Sequence, residues 1–241
     1  MNLSHNIIYE KTIENLREII IKNYSFEEMY SNLFKRYDSC LIGGAIRDFC
    51  FDTTPKDLDF VINISDENLF TYISNYDYKI NKFGGYKVFL DDMIVDIWSM
   101  DNHWAFKNKI LPKSVENLEH TTFYNFDSLV FNLKSDMLYS NCFLDGYKKN
   151  ELDITLDKIY FRQNPQITSN VYKALKLADQ LDLDFSLNTI EYIQYWTKNC
   201  HEPIKEFISY AENISNKNLN KFTYTLNYLL LERSNIYEKV Y

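Results

Sequence analysis

The chain has 241 residues, 26 Lys and Arg against 34 Asp and Glu for a formal net charge of −8, and a hydrophobic fraction of 46%. That length holds one large or two small domains with a real core, and the apolar content excludes a disordered chain. The acidic balance weighs against a broad nucleic-acid surface, because such surfaces neutralise phosphates with clustered Lys and Arg.

In chain order, residues 8 to 37 read as two helices. Ile13, Leu16, Ile19 and Ile20 carry the first apolar stripe, Ser25 and Glu28 form a capping box, and Met29, Leu33 and Phe34 supply a second stripe. A strand follows at Ser39 to Ile42, a helix at Ala45 to Phe51, and a second strand headed by Asp57. The next helix starts near Ser65 with Leu69, Tyr72 and Ile73 inward. Gly84-Gly85 turns the chain into a strand at Tyr86 to Leu90, and Asp91-Asp92 turns it back into a hairpin partner carrying Asp96. Asp91 and Asp92 are therefore turn residues and not ligands.

Two stretches carry chemistry. Leu41-Ile42-Gly43-Gly44-Ala45-Ile46-Arg47-Asp48 closes a strand on paired glycines, and Pro55-Lys56-Asp57-Leu58-Asp59-Phe60 places two carboxylates one residue apart. Asp is depleted in strands, and a period-2 backbone puts Asp57 and Asp59 on one face with Leu58 and Phe60 on the other. Like charges that close call for a divalent cation. Asp96 is a third charge, set in the apolar run Ile94-Val95-Asp96-Ile97-Trp98, and shares a face with Ile94 and Trp98. Each signal has a bland counterpart: a turn for Gly-Gly, a solvated strand end for Asp-x-Asp, an edge position for Asp96 and a helix-surface ion pair for Arg47-Asp48. His5, His103, His120 and His201 form no cluster, and core or rim packing accounts for His103.

The combination Gly43-Gly44-x-x-Arg47-Asp48 followed by Asp57-x-Asp59 resembles the signature of the nucleotidyltransferase superfamily, in particular the head of class II tRNA nucleotidyltransferases and bacterial poly(A) polymerases. The resemblance implies an α+β head, a mixed sheet flanked by helices, followed by a small all-α domain. It divides the chain into an N-terminal helical segment (1–37), the head (38–161) and a helical neck-like part (162–241). It implies two-metal phosphoryl transfer with Asp57, Asp59 and Asp96 as metal ligands and catalytic groups, Mg²⁺ as cofactor and Mn²⁺ as its substitute. Gly43 and Gly44 would offer backbone N–H groups to the nucleotide phosphates, and Arg47, Asp48 and Lys173 would complete nucleotide binding.

The resemblance extends to Phe143 through Ile159, where a glycine turn at Gly146 leads into a short strand. It also covers the helix pair Val171 to Leu181 and Asn188 onward, whose stripe of Val171, Leu175 and Ala178 packs a core. Departures are specific. Thr121 and Thr122 stand where the family carries Arg-Arg before Asp-Phe. The base-selecting segment, at about Gln166 to Asn170, has neither its acidic pair nor its arginine, and Lys173 and Lys176 replace arginines. Two further helices are expected at 202–214 and 219–232.

The expected activity is transfer of a nucleoside monophosphate from an NTP to an acceptor hydroxyl, with an RNA 3′ end (tRNA or another) as one acceptor and a protein side chain or small molecule as the other. A non-catalytic nucleotide-binding regulatory module is the reading of another class. Cys40, Cys50, Cys142 and Cys200 show no metal-ligand spacing and read as free thiols in a reducing compartment. With no signal-peptide layout at Met1 to Asn6 and no apolar run of membrane-spanning length, the expected location is the cytoplasm, away from membranes.

Overall fold

The computed structural model describes residues 2–81, 83–91, 93–161 and 167–214. The chain divides into two compact units, Met1–Tyr147 and Lys148–Tyr241. The first opens with α1 (His5–Lys22), capped by the Ser4 hydroxyl, and α2 (Tyr24–Met29), continued by a π-helical turn at Tyr30–Phe34. The cap of α2 is Asn23, whose Oδ1 accepts from the Phe26 amide at 2.7 Å, and not Ser25. Ser25 lies inside the helix, because an Asn side chain two residues earlier satisfies the same orphan amides.

A seven-stranded sheet follows. Its strands are β1 (Ser39–Ile42), β2 (Leu58–Ile62), β3 (Asp77–Ile80), β4 (Tyr86–Leu90), β5 (Met93–Ser99), β6 (Val130–Asn132) and β7 (Met137–Tyr139), in the order β3-β4-β5-β2-β1-β6-β7. Every pairing is antiparallel except β2 with β5, so the sheet is mixed, as expected. Strand β3 escaped the sequence reading because Asp77-Tyr78-Lys79-Ile80 sits on the sheet edge with three of its four residues exposed, and shows no apolar face. Between the strands run α3 (Gly44–Cys50) and α4 (Asp66–Ile73), the latter capped by Ser65 with Leu69 and Ile73 buried.

Alternation along the strands sorts the core. On one face Phe60 stacks on Phe34 with centroids 4.1 Å apart and meets Phe26 at 6.2 Å. On the other, Cys40, Ile42, Val61, Met100 and Val130 pack with Phe106, Val115 and Leu118, which come from the segment after β5 containing α5 (Trp104–Lys107) and a 3₁₀ turn at Glu116–His120. This segment covers part of the face that carries the carboxylates. Trp98 packs against it, and Gly85 exists for Trp98: a Cβ at Gly85 would lie 2.0 Å from the indole Nε1. Gly84, at φ 82°, supplies the left-handed residue of the β3–β4 hairpin.

The second unit holds a parallel pair, β8 (Glu151–Leu152) with β9 (Asp184–Phe185), and the helices α7 (Lys158–Phe161), α8 (Ile167–Leu181), α9 (Leu187–Asn199) and α10 (Pro203–Ile214). Val171 and Leu175 are buried on α8, Ala178 partly so, and Tyr172 meets Phe207 and Tyr210 with centroids at 5.9 and 5.6 Å. Gly146 does not turn the chain; it is buried within α6 (Asn141–Lys149), whose start is held by Glu119 Oε1 accepting from the Cys142 amide at 2.7 Å. The expected helix at 219–232 lies outside the described residues.

Two outcomes follow from this packing. Gly85→Ala should cost about 1–3 kcal/mol in urea unfolding through overpacking against Trp98, and a second change, Trp98→Leu, should recover most of the loss. Burial pushes the His103 imidazole, which lies 5.3 Å from the Phe106 ring, down to about 4 from 6.5. Between those values the unfolded chain takes up a proton that the fold refuses, so stability falls as pH drops from 6.5 towards 4, by about 3 kcal/mol at most. In His103→Phe that part of the pH profile should be flat.

Candidate active site

The parallel pairing of β2 with β5 sets Asp59 beside Asp96, and the β4–β5 hairpin sets Lys87 beside Asp96 on the other side. The three residues form a row across three strands, and Asp57 sits one residue before β2. Asp96 is 6% exposed, whereas Asp57 and Asp59 are partly buried. Lys87 Nζ donates to Asp96 Oδ2 at 2.8 Å. Burial pushes the Lys87 ammonium down, but the hydrogen bond and charge of Asp96, with the charges of Asp57 and Asp59, outweigh it and hold the pKa above its ordinary value. The Lys87 ammonium therefore interacts with all three carboxylates.

The Gly-Gly turn leads from β1 into α3. Gly43 has φ 79°, which favours glycine, and its N–H donates to the Leu129 carbonyl at 2.8 Å, extending the pairing of β1 with β6. That amide is spent within the protein, which leaves the Gly44 end of the turn as the part to consider for phosphate. The missing side chain of Gly44 leaves room for the Arg47 guanidinium, since a Cβ there would lie 3.2 Å from Arg47 Nη2. Arg47 donates to Asp48 Oδ1 from Nε at 3.0 Å and from Nη2 at 2.7 Å, and its Nη1 pairs with Asp127. The Arg47 and Asp127 side chains are 14% and 5% exposed. Burial alone would lower the Arg47 pKa, but Asp127 and Asp48 reverse that. In this arrangement Arg47 ties α3 to the 3₁₀ turn at Asn125–Asp127.

The first unit thus gathers Gly43, Gly44, Arg47, Asp48, Asp57, Asp59 and Asp96. Lys173 belongs to the second unit, on the exposed side of α8. Two functional candidates were missed. Lys87 was legible: the hairpin register that sets Leu90 opposite Met93 puts it opposite Asp96. Asp127 was not, because it reaches Arg47 across 80 residues. Thr121 and Thr122 are tied inward: Thr121 Oγ1 donates to the Leu118 carbonyl at 2.8 Å, and Thr122 Oγ1 bonds Ser128 Oγ at 2.6 Å.

The donor set suits a hard divalent cation, since it consists of carboxylate oxygens on adjacent strands of one sheet face. Among the described residues, no three His, Cys, Asp or Glu side chains are drawn together closely enough to hold a metal ion. The backbone register sets Asp59 beside Asp96, and the Asp96 carboxylate is hydrogen-bonded to Lys87.

The first unit is thus a mixed sheet with a glycine turn into α3 and a row of carboxylates, and a helical part follows it in the chain. Solved structures share this fold. A CCA-adding enzyme in complex with ATP matches 93% of this chain with 54% of its own, at 14% identity and a TM-score of 0.62. A tRNA nucleotidyltransferase complexed with a primer tRNA and an incoming ATP analogue matches over 85% of this chain and 60% of its own, at 13% identity and a TM-score of 0.61. The Thermotoga maritima CCA-adding enzyme complexed with tRNA matches over 88% and 53%, at 12% identity and a TM-score of 0.61. The chain thus spans between half and three fifths of the length of these proteins. No protein-family model and no curated protein matches the sequence.

Because Asp127 is the buried partner of Arg47, Asp127→Asn should lower the unfolding free energy by about 2 kcal/mol, less than for a fully orphaned buried charge because Asp48 still pairs with Arg47. Chemical denaturation measures it, and an unchanged midpoint would remove Asp127 from this role.

Proposed function

We propose that the protein is a metal-dependent nucleotidyltransferase that moves an NMP from an NTP to an acceptor hydroxyl. The observation that carries this reading is the pairing of Asp59 with Asp96 on neighbouring parallel strands, with Asp57 two residues upstream of Asp59, in a fold shared with CCA-adding enzymes. Asp57, Asp59 and Asp96 would hold Mg²⁺, or Mn²⁺ in its place, which when bound polarises the phosphates and acidifies a hydroxyl. Asp96 is suited to accept the proton of that hydroxyl, being nearly buried and adjacent to Asp59. The Gly43–Gly44 turn brings backbone close to where phosphates would lie, and the Arg47–Asp48–Asp127 cluster fixes that turn in place.

For the acceptor, neighbours solved with a primer tRNA support an RNA 3′ end. A second reading, a protein side chain or small molecule, is favoured by Thr121 and Thr122, which are tied into internal hydrogen bonds where the family signature carries two arginines, and by the net charge of −8. The test is incubation with Mg²⁺ and each labelled NTP, with total RNA in one set and a cell lysate in another. Label should appear in one acceptor class and vanish to background in Asp57→Ala/Asp59→Ala, whose circular dichroism should match the parent. Label that survives in the double variant would dismiss the site; no carboxylate-dependent label in either set would favour a nucleotide-binding regulatory module.

A further inference from the structure

Three adjacent strands present Lys87, Asp96 and Asp59 in one row, and the ammonium of Lys87 lies 2.8 Å from the carboxylate of Asp96. Directly opposed like charges on neighbouring strands destabilise a sheet, and Asp96 is nearly buried. A cation is required there, and the chain supplies its own. The Lys87 side chain is 34% exposed, so it has a route to solvent, whereas the Asp96 side chain, at 9%, has little. The charges of Asp57 and Asp59 also act on Lys87, so its ammonium lies within the field of the whole carboxylate group.

We propose that Lys87 is the built-in counter-cation of the carboxylate row: it holds Asp96 in the metal-free protein, and a divalent cation binding at Asp57, Asp59 and Asp96 must displace it. This rests on the metal-site reading given above and adds a residue to it. Lys87 is thus a positioning residue acting through Asp96. Two consequences follow. The row stays folded without metal, because Asp96 is never left as an unpaired buried charge. Divalent-ion affinity is weakened, because each ion bound costs one charge-assisted hydrogen bond.

The experiment uses Mn²⁺ alone, with free ion read by electron paramagnetic resonance, on the full chain. Lys87→Met should bind Mn²⁺ about tenfold more tightly than the parent, and Lys87→Arg, which keeps the charge, should stay near the parent. Asp57→Ala/Asp59→Ala should lose the binding in either background. Since removing Lys87 leaves Asp96 unpaired and could cost the fold, a second measurement keeps Lys87 in place: its acetylation, followed by mass spectrometry. Saturating Mn²⁺ should speed it several-fold, and Asp96→Asn should speed it without metal. Equal or weaker Mn²⁺ binding in Lys87→Met, or acetylation indifferent to Mn²⁺, overturns the proposal while carboxylate-dependent binding in the parent leaves the metal site standing. If no Mn²⁺ binding in the parent depends on Asp57 and Asp59, the metal site and the counter-cation role fall together.

Discussion

The structure of the first unit depends on the one parallel contact in its sheet. β2 and β5 run side by side with Asp59 beside Asp96, and every other strand pairing is antiparallel. Placing two carboxylates in neighbouring strands, one nearly buried, is unfavourable unless a cation shares the site. Lys87 provides that cation from β4, and the mixed topology is what makes the three strands adjacent. A purely antiparallel meander would pair consecutive strands and would not bring β2 against β5, which are separated in sequence by α4, β3 and β4.

The two faces of the sheet divide the labour. Phe26, Phe34 and Phe60 stack on the helical side and fix the sheet against α2 and the π turn. On the carboxylate side, the segment that follows β5 closes over Val61, Ile42 and Cys40 with Phe106 and Leu118. Burial of the His103 ring in that segment keeps the imidazole neutral at neutral pH, with Nε2 3.5 Å from the Thr121 hydroxyl.

The Arg47 cluster bears on the glycine turn. Arg47, Asp48 and Asp127 form a mostly buried ion group, and such groups contribute geometry more than net stability. The geometry gained is the attachment of α3 to the turn at Asn125–Asp127, while the Gly43 amide is anchored on Leu129. The turn between β1 and α3 is thus held at both ends, and Ile42 just before it pairs with Asp59 of β2.

The sequence by itself determined the local elements and the identity of the charged groups. The alternation of Leu58-Asp59-Phe60, the apolar run around Asp96 and the β4–β5 hairpin depend on near neighbours only, and so does the Ser65 cap. The motif resemblance added the head fold, which the solved CCA-adding structures share. Local signals misread Ser25, because Asn23 competes for the same amides, and β3, because an edge strand needs no apolar face, while the resemblance misplaced a turn at Gly146, which is buried inside a helix. Tertiary structure alone decided that Asp127 grips Arg47, that Leu129 takes the Gly43 amide and that Trp98 demands a bare Gly85. Each of those contacts joins residues far apart in the chain, where the partner is chosen by sheet order and packing and leaves no periodic trace in the sequence.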